Sequence, residues 1–173
     1  MEEKLHWLPA SDHTELIAAP VSAALHGVEG DVTVAAIDPA LSDTAEFCDR
    51  YGWTLEASAN CVIVVGRRGG EVRYAACMVL ATMRADVNGV IRKRLDVRKS
   101  SFAPMAEAVE LTGMEYGGIT PIGLPADWPI LVDSRVAAHP RVVIGSGVRR
   151  SKLALPGASL AALKGAEVLD LAN

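Results

Sequence analysis

The chain has 173 residues, half of them apolar, and a formal net charge of −4. That length suits a single domain over residues 1–173 with one core, and the acidic balance argues against a strongly basic DNA-binding protein. Aromatic residues make up 5 % of the chain, so the core must be mainly aliphatic.

In chain order, Ser11 or Asp12 is placed to cap a helix through residues 15–18, which Pro20 breaks or restarts. A second helical stretch reaches Leu25 and stops at Gly27. Residues 32–37 read as a strand ended by Asp38 and Pro39. Ser42 or Asp43 then caps a short helix through Phe47 and Tyr51, with Gly52 as its stop. The apolar run 61–65 suits a strand covered on both faces, and Gly69 with Gly70 turns it into a second strand over 72–80. Asp86 caps a helix carrying Val87, Val90, Ile91 and Leu95 at helical spacing. Pro104 opens another helix that ends near Gly113. Residues 113–129 are too rich in glycine and proline for regular structure and read as a long ordered loop, a feature that in a compact domain is usually functional. A short strand ends at Val132 and Asp133. Strands over 141–144 and 152–155 flank a small-residue turn at Gly145, Ser146 and Gly147, and Pro156 starts a last helix through Leu163.

The three cysteines, Cys48, Cys61 and Cys77, form no CxxC or CxxH pair, so no zinc site is expected. Their odd number suits reduced thiols in a cytoplasmic setting. No stretch approaches the roughly 20 apolar residues of a membrane span, and the first eight residues lack the apolar core of a secretory signal. Neither a membrane partner nor a cofactor is expected. His6, His13, His26 and His139 fall outside the glycine-rich segments and read as surface residues.

The loop carries the chemistry. Paired glycines at Gly117 and Gly118 let the backbone approach a ligand and leave N–H groups exposed, and Pro121 stiffens the end of the loop. Such a backbone can donate hydrogen bonds to a carbonyl or a developing oxyanion; the plain alternative is a surface loop whose glycines serve only its turns. Between Arg84 and Lys99 six basic residues, including Arg92, Lys93 and Arg94, stand against two acidic ones. Arg149, Arg150 and Lys152 make a second basic cluster. Both clusters suit either nucleic-acid phosphates or a solvated face.

The run from Glu110 to Gly123, ELTGMEYGGITPIG, resembles the glycine-rich loop of the YbaK / prolyl-tRNA-editing family, with Gly117 and Pro121 at the spacing of its Gly-x-x-x-Pro pattern. The likeness extends to the segment ending at Asp133, to the strand and turn over 142–147, and to the charged stretch 92–103. It spans roughly 57–163, and residues 1–52 match less well. The resemblance implies a mixed, mostly antiparallel sheet or barrel surrounded by helices, and a metal-free hydrolase that removes a wrongly attached amino acid from aminoacyl-tRNA. It places Gly117, Gly118, Ile119, Thr120 and Pro121 around the ester. It places Asp133, Gly145, Ser146 and Gly147 near the substrate, with Arg92, Lys93, Arg94, Arg149 and Arg150 available to the tRNA. Water, oriented by the substrate's own ribose hydroxyl, is the implied nucleophile. The chain departs from the family at one point. Active members carry a lysine on the strand matching residues 58–65, and Asn60 stands near that position. An amide donates hydrogen bonds but brings no charge. Two readings stay open: a deacylase that works without that lysine, and a module that binds a tRNA 3′ end or a small amino-acid-like ligand.

Overall fold

A computed structural model describes residues 4–173, so the first three residues of the N-terminal segment lie outside the described part. Strand β1 (Leu8–Pro9) is followed by two single 3-10 turns, Ala10–Asp12 and Thr14–Leu16, in place of the helix expected there. His13 between them has φ −134° and ψ 47°, which interrupts helical propagation. Helix α1 (Ala19–Ala24) takes Pro20 in its first turn, where a missing N–H costs nothing. Strand β2 (Thr33–Ala36) and helix α2 (Thr44–Tyr51) come next, and α2 ends at left-handed Gly52 as expected.

The predicted hairpin is the longest feature, β3 (Ala59–Arg68) against β4 (Glu71–Leu80), paired residue for residue from Ala59–Leu80 to Arg68–Glu71. Asp86 accepts from the Val90 amide and opens a π turn that runs into α3 (Arg92–Leu95). Strand β5 (Lys99–Phe102) was not expected; its residues are mostly polar and exposed, and only pairing with Val64–Arg67 of β3 makes it a strand. Helix α4 (Met105–Thr112) ends at Gly113, and residues 113–129 hold no helix or strand. Then come β6 (Ile130–Asp133), α5 (Ser134–Ala137), β7 (Val142–Gly145), β8 (Ser151–Leu155), α6 (Gly157–Ala161) and β9 (Ala166–Leu169), which like β1 and β5 was not expected.

These strands make two sheets, ordered β1-β2-β8-β7 and β5-β3-β4-β6-β9. The first is antiparallel throughout, whereas β6 runs parallel to both β4 and β9. The sheets do not close into a barrel among the described residues, so of the two architectures implied by the resemblance the open one is found. Their shared core is aliphatic, with Val34, Met78, Val132, Ile144, Leu153 and Leu155 buried together. Burying each such side chain stabilises the fold by about 1.5–3 kcal/mol. A single parallel bridge, Ser58 to Val143, ties the start of β3 to β7. The seam it makes between the sheets is where the loop, α2 and the two strands converge.

Candidate active site

At that seam lies a pocket of about 210 Å³. Its walls come from the entry to α2 (Ser42, Asp43, Thr44, Phe47), the start of β3 (Ala59, Asn60, Cys61), the loop (Tyr116, Gly117, Ile119), and Val143, Ile144, Gly145 and Lys152 of β7 and β8.

The loop is fixed by an interlock of backbones. The Gly147 amide donates to Gly118 O at 2.6 Å, Glu115 N–H donates to Gly147 O at 2.9 Å, and Gly118 N–H closes a turn onto Glu115 O at 3.0 Å. Side chains are excluded at the crossing: a Cβ on Gly118 would lie 2.7 Å from Val148 O, and one on Gly145 would lie 2.5 Å from Gly118 O. Arg149 clamps the outside. Its guanidinium donates to Tyr116 O and Pro39 O, both at 3.2 Å, and its amide donates to the Glu115 carboxylate at 2.7 Å. With the loop held this way, the Gly117 and Ile119 N–H groups have no acceptor among the described residues, and both residues face the pocket.

Asn60 lies opposite the loop. Its amide oxygen accepts from the Thr44 hydroxyl at 2.8 Å, which leaves the NH₂ as the donor open to a ligand. Asp43 occupies the N-cap position of α2, yet its side chain makes no capping bond. It borders the pocket instead, together with Ser42, whose hydroxyl is buried without a hydrogen-bond partner. The Cys61 thiol also lines the cavity, and burial pushes its pKa well up, so it is held as the neutral thiol.

Lys152 is the cation of this pocket. The sequence placed it in a surface cluster with Arg149 and Arg150, but strand alternation turns it inward. Leu153 and Leu155 face the main core, whereas Ala154 packs beside Phe47 under α2, on the same side as Lys152. The lysine is 7 % exposed. Its ammonium donates to Ser42 O at 2.7 Å and sits 5.6 Å from the centre of the Phe47 ring. Burial lowers its pKa to about 8; the Asp43 carboxylate and Cys48 pull it back up, and the neighbouring Arg149 charge pushes it further down. A lone lysine alternating with Leu153 and Leu155 in an apolar strand was the available sequence signal.

The remaining predicted residues lie elsewhere. Thr120 is fully buried with an unpartnered hydroxyl, and Pro121 is buried beneath the loop; neither lines the pocket. The Ser146 hydroxyl is buried within reach of Val148 O (3.1 Å) and Ser151 O (3.0 Å), so it serves its own turn. Gly147 holds φ +88° and packs on Ala18. Asp133 is fully buried outside the pocket, bonded to the Arg135 guanidinium at 3.0 Å, to its amide at 3.0 Å and to the Leu171 amide at 2.9 Å. These bonds tie β6 and α5 to the C-terminal residues. Asp133→Ala is therefore expected to cost about 2 kcal/mol in urea unfolding, because the buried Leu171 amide and the partly buried Arg135 amide lose their acceptor. An unchanged midpoint would refute that structural role.

Arg92, Lys93 and Arg94 sit on α3 near the closed end of the hairpin, where Arg73 reaches Leu95 O. Along the strands this is roughly 20 Å from Asn60. Arg92 donates to Asn88 O, Arg94 is paired bidentately with Glu167, and Arg150 donates to Glu15 O. Of Arg92, Lys93, Arg94, Arg149 and Arg150, only Arg149 reaches the wall of the pocket, through Tyr116 O.

The profile of the aminoacyl-tRNA editing domain matches residues 38–163, which takes in every element that walls the pocket. The chain belongs to the aminoacyl-tRNA editing domain family. Its fold is that of solved relatives. One is a candidate trans-editing enzyme for prolyl tRNA synthetase, at 24 % identity and a TM-score of 0.73, covering 89 % of this chain and 95 % of that one. Another, a hypothetical protein, gives 23 % identity and a TM-score of 0.72 over 81 % of this chain and 90 % of that one. A third comes from a study that grafted epitopes onto scaffold proteins, at 22 % identity and a TM-score of 0.74, covering 90 % and 97 %. No described helix of this editing domain is long and apolar enough to cross a membrane.

Proposed function

We propose that this editing domain hydrolyses the ester of mischarged aminoacyl-tRNA and does so in trans, as a free-standing deacylase. One observation carries the reading: two N–H donors without acceptors among the described residues, Gly117 and Ile119, are held on an interlocked backbone inside a small pocket. Preorganised donors of that kind stabilise charge that develops on a carbonyl oxygen.

The aminoacyl end enters with its ester carbonyl against these amides. Water adds to the carbonyl carbon and negative charge gathers on the carbonyl oxygen. The bond from that carbon to the ribose oxygen then breaks. The ribose oxygen takes up a proton that the water has lost, releasing the free amino acid and a tRNA with its terminal hydroxyl restored. Phe47, Cys61, Val143 and Ile144 form the apolar side of the pocket and select the amino-acid side chain by size. Such selection is worth about 1–3 kcal/mol per methylene, which is why a second, separate check on a charged tRNA is chemically useful. The binding-module alternative rested on the lack of a lysine at residue 60, and Lys152 in the same cavity weakens that ground.

The test is incubation of the purified protein with alanyl-, cysteinyl- and seryl-tRNA, each carried on a non-cognate tRNA, while the ester is followed. Catalytic loss of at least one ester is expected. Persistence of all three esters at stoichiometric protein would overturn the reading.

A further inference from the structure

We propose that Lys152, reaching the pocket from β8, acts with the Gly117 and Ile119 amides to stabilise the negative charge formed on the substrate during ester cleavage, supplying from β8 the cation that β3 lacks. The inference rests on the deacylase reading. Its geometric basis is the place of Lys152 on β8. Lys152 pairs across the sheet with Gly145, where a Cβ would lie 2.5 Å from Gly118 O and 2.7 Å from Ile119 O, so no β7 side chain separates the lysine from the loop. The ammonium has three protons, and Ser42 O accepts one. The Phe47 ring lies beside it as an apolar wall. The rest of its hydrogen-bonding capacity opens on the cavity shared with Asn60 and Gly117.

The charged neighbours favour this role. Asp43 and Cys48 approach from α2 and Arg149 from the turn before β8. None of them makes a hydrogen bond or ion pair with the ammonium, so its charge is not neutralised by a direct partner among the described residues. A buried cation without a carboxylate in contact is costly to keep, and a low-dielectric cavity is where it acts most strongly on a charge that appears only in the transition state. With a pKa near 8 it is mostly charged at neutral pH, and it loses that charge as the pH rises above that value.

The experiment compares wild type with K152Q, K152R and the double variant N60K/K152Q on the mischarged tRNA that wild type cleaves best. K152Q is expected to lower kcat by about 100-fold with KM within about threefold, as for loss of one transition-state donor. K152R should recover part of the rate, and its alkaline limb near pH 8 should disappear. The double variant, which moves the cation back to β3, should exceed K152Q by at least about tenfold. A K152Q enzyme within about threefold of wild type, or one whose loss lies wholly in KM, overturns the proposal. A second readout needs no turnover: NMR titration of ¹³C-labelled lysine with a phosphonate analogue of alanyl-adenosine, whose anionic oxygens mimic the developing charge. The Lys152 midpoint should rise by at least about one pH unit. No rise under saturating analogue, or no binding of the analogue, refutes the role of Lys152. Inactivity of wild type together with a clear rise instead refutes the deacylase reading alone.

Discussion

Gly145→Ala should reduce deacylation by about 100-fold without unfolding the protein. The new Cβ would lie 2.5 Å from Gly118 O and 2.7 Å from Ile119 O, closer than real Cβ contacts allow. Both neighbours are backbone atoms, so no flexible side chain can move aside. The torsion at Gly145 is not in the left-handed region, and alanine fits the strand itself; the whole conflict falls on the loop. Relief requires the 117–119 backbone to withdraw by a fraction of an ångström to about 1 Å, and displacement of that size costs about 100-fold when donors must meet a developing charge. The stability loss should stay at about 1–3 kcal/mol, as for other overpacked sites. Gly27→Ala is the control, because no atom lies within 4 Å of its Cβ position and its torsion is ordinary, and its rate should match wild type. Wild-type kcat/KM in Gly145→Ala would show that the interlock does not hold the catalytic backbone.

Lys152→Met should stabilise the protein at neutral pH even as it removes the pocket's charge. The folded-state pKa of about 8 lies below the ordinary lysine value of 10.5, so the unfolded chain binds the proton more tightly. Below pH 8 both states are charged and the full penalty of burying the ammonium is present. Between pH 8 and 10.5 the folded state sheds its proton first, so stability rises with pH. Above 10.5 the penalty is gone. The separation of the two values corresponds to about 3 kcal/mol. Part of this gain is offset in the variant, because Ser42 O loses its donor. A net gain of about 1–2 kcal/mol at pH 7 is expected, or a Tm higher by about 5 °C for a chain of this size. Urea unfolding of both proteins at about pH 7, 9 and 10.5 checks it. The variant's advantage should shrink steadily toward alkaline pH. An advantage that is absent at neutral pH, or that grows with pH, would contradict the burial cost. A stabilising substitution that destroys activity is the expected signature of a group retained for chemistry rather than for folding.

Much of the site was legible from local chemistry. The spacing of Gly117, Gly118 and Pro121 marked the loop, because only glycine permits the backbone crossings found with residues 145–148. The apolar run at 61–65 followed by Gly69 and Gly70 specified the hairpin, since both the pairing and its turn are short-range. Asn60, just before the apolar run, lies on β3 and borders the pocket. Ser42 or Asp43 was expected to cap the helix; Asp43 occupies that position, yet its carboxylate makes no capping bond and borders the cavity instead.

The sequence by itself determined the α/β class, the hairpin, the irregular loop and its resemblance to editing domains, because each is written in contiguous residues with a fixed period or a required glycine. Tertiary structure alone decided the rest. Strand β5 exists because β3 offers it an edge, and β9 because β6 lies parallel beside it; neither carries a strong strand pattern of its own. Lys152 became the pocket's cation for the same kind of reason. Which face of β8 is covered by α2 depends on how two sheets meet at Ser58 and Val143, and residues so far apart in the chain come together only when the core has formed.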